Sequence, residues 1–155
     1  MSSEKGEITM TEFKAQVVIN RPMEEIFAAI ADMNKMDTWQ TNVLESRMTS
    51  SEPIAQGSTY VYTMQLFGRR VETSGEIIHY EPPTKWGYKA TSGPFPMSGY
   101  IMLETAPGGT RATWIVDAEP GGFFALARPL LKRMSERQLE GNLKNLKDML
   151  EQPAE

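Results

Sequence analysis

The sequence predicts an α+β fold: a seven-stranded curved antiparallel sheet with two short helices and one long C-terminal helix, enclosing a cavity. Three observations carry that prediction. Six alternating or β-branched segments follow one another between residues 42 and 119, separated by Gly and Pro punctuation. A short amphipathic stretch follows an earlier strand-like segment, and one long helical pattern closes the chain.

The opening MSSEKGE is polar and carries no element signal. TEFKAQVVIN reads as the first strand, rich in β-branched and aromatic residues. Pro22 suits the first position of a helix, with Asn20 or Arg21 as its cap, and Glu24 and Glu25 complement the helix dipole. Met23, Ile26, Phe27 and Ile30 recur at helical spacing. DMNKMD then breaks the pattern before one further turn, and Trp39 lies just beyond it.

NVLESRMT is a short strand candidate, and GSTYVYTMQLF and RRVETSGEIIHY are long ones joined at Gly68, a tight hairpin signal. EPPT ends the ladder, because proline lacks a donor and fixes its own torsion. KWGYKATS, MSGYIMLETA and TRATWIVDAE complete a meander. Alternation groups Tyr60, Tyr62, Met64 and Leu66 on one face, as it does Trp86, Tyr88 and Ala90, and Ala112, Trp114 and Val116. From Gly121 to about Glu151 the stripe Leu131, Leu139, Leu143, Leu146 and Leu150 defines the long helix. Glu140–Lys144 and Lys147–Glu151 are expected ion pairs on its outer side, and Pro129 marks a kink or a restart.

A chain of 155 residues without repeat, linker or low-complexity tract is expected to form a single domain over 1–155, with its ordered core at about 10–151. A net charge of −4 lacks the basic footprint of a nucleic-acid binder. With no cysteine and one histidine, thiolate chemistry and multi-histidine metal centres are excluded, so no metal and no cofactor are expected. No apolar run approaches the roughly 20 residues of a membrane span, and the start is no signal peptide, so the expected location is cytoplasmic. Monomer and homodimer both stay open. Eleven methionines suit either ordinary core filling or an adaptable cavity.

Strands of about ten residues span some 30 Å and curl, whereas one helix is only about 10 Å across. A cavity of several hundred cubic ångströms, a usual size for ligand sites, is the expected result. INRPMEEIFAAIAD followed by Trp39, then YEPPTKWGY, GGTRATW and the ending GNLKNLKDMLE, stand in an order and spacing that resemble the START-like, Bet v 1-like helix-grip superfamily (SRPBCC), in its polyketide cyclase/dehydrase branch. The resemblance covers roughly residues 10 to 151. It implies a strand, two short helices, six strands and a C-terminal helix gripping the sheet over an apolar cavity. Such folds host carriers, lipid-transfer domains, cyclases and dehydratases, so function must be argued from the site.

Trp39, Tyr62, Met64, Trp86, Tyr88 and Trp114 are candidates for the cavity wall or for plain core packing, joined by Phe124 and Leu131 at the last helix. His79 shares parity with Val71, Thr73 and Ile77, so it could point inward as a single acid/base or be merely structural. Arg128 continues the apolar stripe of the last helix. It either snorkels to solvent or stands at the cavity mouth, paired with an acidic ligand head or with Glu119 or Glu104. Arg69 and Arg70 at a hairpin tip read as solvated, or with Phe123 and Phe124 as a transient membrane contact. The favoured function is binding of a small hydrophobic ligand, aromatic, polyketide-like or lipid-like. A cyclase/aromatase or dehydratase-type enzyme is the alternative, with His79, Tyr62, Tyr88 and Arg128 as its available polar groups.

Overall fold

The computed structural model describes residues 11–66, 68–119 and 128–152. Strand β1 (Thr11–Ile19) is followed by helix α1 (Met23–Ala31) and a single 3₁₀ turn (Met36–Thr38). Strands β2 (Val43–Met48), β3 (Thr59–Leu66), β4 (Arg69–Glu81), β5 (Lys85–Ser92), β6 (Met97–Ala106) and β7 (Gly109–Ala118) then form a meander, and α2 (Arg128–Glu151) closes the described chain. All seven strands lie in one antiparallel sheet of order β1-β7-β6-β5-β4-β3-β2. The chain therefore leaves β1 at one edge and must cross to β2 at the other.

That crossing explains the abrupt sequence after Ile19. Arg21 N–H closes back on the Ile19 carbonyl at 2.8 Å, and the Thr110 hydroxyl holds the Arg21 carbonyl at 2.9 Å. Pro22 is not the first helical residue but the cap itself, extended at φ −65° and ψ 149°, and neither Asn20 nor Arg21 caps the helix with a side chain. The Pro22 carbonyl instead accepts from Glu25 and Ile26 N–H. The helix buries Ile26, Phe27, Ile30 and Ala31 against β5 and β6, with Phe27 edge-on to Tyr80 at 5.4 Å. Full burial of side chains the size of Ile26, Phe27 and Ile30 stabilises by about 1.5–3 kcal/mol each.

Helix α2 packs chiefly along β1. As an edge strand, β1 leaves every second residue's backbone groups without a strand partner. The helix supplies those partners from its own side chains. Lys132 donates to the Glu12 carbonyl at 3.0 Å and Glu136 accepts from Lys14 N–H at 2.9 Å. Further along the helix, Lys147 donates to the Val18 carbonyl at 3.0 Å and Glu151 accepts from Asn20 N–H at 2.7 Å. The Lys147–Glu151 ion pair, 2.7 Å apart, is therefore a clamp on the sheet edge and not an outward decoration. Lys144 pairs with Asp148 at 2.7 Å and not with Glu140. Pro129 lies in the first turn of α2 as described, where its missing N–H leaves no helical bond unmade.

The concave face of the sheet carries the core. Two glycines on that face make room for tyrosine rings. A Cβ at Gly75 would lie 2.5 Å from the Tyr60 ring, and one at Gly99 would lie 2.6 Å from the Tyr88 hydroxyl oxygen. No helix among the described residues is long and apolar enough to cross a membrane.

Candidate functional site

Beneath residues 131–142 of α2 the concave face leaves a cavity of about 170 Å³. Its apolar wall includes Phe13 of β1, Tyr62 and Met64 of β3, Tyr88 of β5, Met97 of β6 and Trp114 of β7, with Leu131 and Leu139 of α2 above. Strand alternation puts Tyr62, Tyr88 and Trp114 on one surface, and all three are buried. The space is smaller than the several hundred cubic ångströms expected from strand length alone. Paired aromatic rings take up the difference: Trp39 against Trp114 at 5.6 Å, Trp86 against Tyr88 at 5.2 Å, and Tyr60 stacked on Tyr62 at 6.0 Å.

Of the residues singled out by sequence, Tyr62, Met64, Tyr88, Trp114 and Leu131 thus meet around one cavity. Trp39 and Trp86 are buried on the same side of the sheet but stand behind that wall, each backing a lining ring. Phe124 lies outside the described residues, as does the Arg128 side chain, although the Arg128 backbone begins α2. Glu104, an alternative partner for Arg128, lies 3.5 Å from Arg111 on exposed surface. Arg70 is near Glu45 at 3.7 Å.

His79 does not point inward. Ile77 pairs with Tyr88 whereas His79 pairs with Gly87, so Ile78 is an extra residue that resets the alternation of β4. Beyond the bulge Tyr80, opposite Trp86, takes the inner face and reaches Phe27. The His79 ring turns outward over Gly87, where a Cβ would meet it at 2.7 Å, with its Nδ1 4.0 Å from the Glu81 carboxylate.

The polar side of the cavity was not read from the sequence. Gln40, Asn42, Ser135, Gln138 and Asn142 line it. Asn142 is 2% exposed, and its side-chain oxygen accepts from Thr41 N–H and from Gln138 Nε2, both at 3.1 Å. Asn145 holds the Trp39 carbonyl at 3.3 Å. These amides latch the segment after the 3₁₀ turn onto α2, which is why Trp39 follows so closely on that turn. A signal did exist: Asn142 lies within the helical stripe of Leu139, Leu143 and Leu146, and a polar residue on an apolar stripe marks a buried polar partner. Phe13 was legible in the same way from the alternation of β1.

Electrostatically the site is quiet. No described lining residue is charged. Burial pushes the Tyr62 phenol up to about 12 and the Tyr88 phenol higher still, with the neighbouring Tyr62 adding to the shift at Tyr88. The Tyr60 phenol is likewise raised by burial and then by Tyr62 and Tyr88. All three stay neutral, as donors and acceptors of hydrogen bonds. Among the described residues no group of three or more His, Asp or Glu gathers as a metal site.

The family model for polyketide cyclase / dehydrase and lipid transport matches residues 10–151. No curated protein matches the sequence. Among solved structures, a protein from Thermus thermophilus superposes with TM-score 0.78 at 18% identity, covering 89% of this chain and 95% of that one. A START superfamily protein from Mycobacterium smegmatis superposes with TM-score 0.75 at 15% identity, over 90% of this chain and 97% of its own. The ZhuI aromatase/cyclase from Streptomyces sp. R1128 gives TM-score 0.75 at 15% identity, over 92% of this chain and 94% of that one. At these identities the likeness is one of fold.

Proposed function

Because the chain belongs to the polyketide cyclase / dehydrase and lipid transport family, we propose that it binds a small hydrophobic, aromatic or acyl, molecule in the cavity beneath α2. One observation carries this reading: a wall of aromatic and thioether side chains with hydrogen-bonding amides along one side and no charge among its described residues. Ligand sites are built in this manner, with apolar area for affinity and a few placed polar groups for orientation. Asn42 is only partly covered and Gln138 is exposed, so the polar side reaches solvent and provides a route in.

A second reading, cyclase or dehydratase chemistry in the same space, draws support from the family and from the two neutral phenols in the wall. Ring closure of a reactive chain would also need a base to take a proton from carbon. The described lining offers no carboxylate or imidazole for that task, and His79 faces away. Binding is therefore the better-supported function.

Native mass spectrometry of the freshly purified protein, paired with titration of an environment-sensitive apolar dye, tests it. The expected result is a co-purified small molecule or saturable dye binding that quenches Trp114 and is lost on competition with single-ring aromatics. Absence of both would overturn the proposal. Conversion of a short linear poly-β-ketone thioester to a dehydrated ring product would favour the enzyme.

A further inference from the structure

The indole N–H of Trp114 donates to the Tyr88 hydroxyl at 3.2 Å. That bond occupies a lone pair on the phenol oxygen and leaves the phenol proton to be placed. Among the described residues nothing accepts that proton, although Tyr88 is 7% exposed and its side chain lines the cavity. A buried donor left without an acceptor is costly, and native structures keep such groups few. An oxygen on a bound ligand would supply the acceptor that the described residues do not.

The donor is also held rigidly. Gly99 lies directly across from Tyr88 on β6, and a Cβ there would come within 2.6 Å of the hydroxyl oxygen. Only glycine lets the phenol lie down against β6. Trp86 packs against the ring from the neighbouring position at 5.2 Å. The incoming indole N–H polarises the phenol and strengthens it as a donor. Burial keeps it protonated far above neutral pH. A cavity of about 170 Å³ is close to the roughly 150 Å³ that holds benzene in an engineered apolar site. A single ring with a small substituent is thus the scale of ligand that fits without rearrangement.

We infer that the Tyr88 O–H, oriented by Trp114 and seated by Gly99, is a specificity-determining donor that selects aromatic or acyl ligands bearing a carbonyl or similar acceptor oxygen over hydrocarbons of the same shape. This rests on the cavity-binding reading above. Acetophenone and α-methylstyrene form a matched pair of probes, close in size and equal in heavy atoms, differing in C=O against C=CH₂. Calorimetric titration of both into the wild-type protein and into Tyr88→Phe reads the donor directly. Tyr88→Phe should weaken acetophenone by roughly 3- to 10-fold, the range of one net hydrogen bond, and leave α-methylstyrene within about twofold.

A measurement on the wild-type protein alone keeps the test independent of any folding defect. The carbonyl-carbon NMR resonance of bound acetophenone should move downfield of its position in hexane, as a hydrogen-bonded ketone does. Equal losses for the two probes, no loss for the ketone, or a carbonyl resonance at the hexane position would overturn the donor role. If α-methylstyrene binds and the ketone shows no dependence on Tyr88, only this inference fails. If neither probe binds the wild-type protein, this inference fails, and the dye titration and native mass spectrometry decide separately whether the cavity reading fails with it.

Discussion

The two ends of the concave face are built from the same sheet and covered by the same helix, yet one is full and the other is not. Toward α1, Ile26 is 0% exposed, Ile30 and Met33 are each 1% exposed, and Leu143 and Leu146 of α2 are 0% exposed. Beneath residues 131–142 of α2 the same face leaves about 170 Å³ empty. Branched aliphatic and thioether chains at the first end can shift rotamers until the space is filled. At the second end the sheet presents rings that brace one another, and the helix offers Ser135 together with Gln138 and Asn142, whose amides are committed to hydrogen bonds. Braced rings on the sheet and hydrogen-bonded Gln138 and Asn142 on the helix hold the two walls apart, with Met64, Met97, Leu131 and Leu139 completing the lining.

The largest expected effect separates the ends by truncation. Leu146→Ala, at the filled end, should cost about 2–5 kcal/mol, as large-to-small changes in a close-packed core do. Met64→Ala, on the partly covered wall of the cavity, should cost no more than about 1 kcal/mol and admit bulkier ligands. Chemical denaturation of both variants checks this. Equal losses would mean that the second end is as tightly packed as the first.

The neutral phenols predict the next effect. The folded Tyr62 holds its proton to about pH 12, against an ordinary value of 10.0. A raised tyrosine pKa favours the folded state while both states stay protonated. As pH rises through 10 the unfolded chain ionises first, and stability falls until the folded pKa is passed, by about 2–3 kcal/mol for that residue alone. Spectrophotometric titration should show Tyr62 and Tyr88 silent at pH 10 in the folded protein and titrating together with unfolding. Reversible ionisation of all five tyrosines with the fold intact would contradict the buried wall.

A somewhat smaller change tests how the wall is seated. Gly99→Ala should cost about 1–3 kcal/mol by overpacking, because the new methyl group meets the Tyr88 hydroxyl. It should also abolish the preference for ketone over alkene without touching the filled end. Retention of that preference would detach Gly99 from the donor's geometry.

How far the sequence revealed this contrast depends on the kind of signal each residue leaves. Alternation placed Tyr62, Met64, Tyr88 and Trp114 on the inner face because β3, β7 and this part of β5 keep their register there. His79 escaped because one inserted residue, Ile78, reverses every later side chain of β4, and nothing local in GEIIHY announces it. Trp86 was on the right side but stands behind the wall, since a period of two gives a face and not a layer, and Trp39 follows a 3₁₀ turn, where no strand period applies. Gln40 and Asn42 went unread because they sit in an irregular segment, where no period applies, whereas Asn142 left its signal on the stripe of α2. The grip of α2 on β1 was legible only as charge pairs of helical spacing. That Lys147 and Glu151 reach the backbone of Val18 and Asn20 depends on which sheet edge the helix meets.

The smallest predicted effect concerns that grip. The Asn20 N–H bond, then Lys147, holds the Glu151 carboxyl below its ordinary range. A depressed carboxylate pKa contributes stability that is present above the unfolded value and is lost as pH falls through the folded one. Glu151→Gln should therefore lower the melting temperature slightly at neutral pH, and the difference should vanish in acid below the folded pKa. A difference that persists unchanged in acid would assign the loss to packing.

The most direct test of the central claim uses the methionines that the two ends supply. Met64 and Met97 line the cavity, whereas Met33 and Met36 are buried in the filled core next to α1. Methyl NMR spectra of methionine-labelled protein, recorded during titration with α-methylstyrene, report on both ends at once. The Met64 and Met97 methyl resonances should shift saturably while those of Met33 and Met36 stay in place. Shifts at Met33 and Met36 instead, or no saturable shift at any methionine, would contradict a ligand cavity beneath α2.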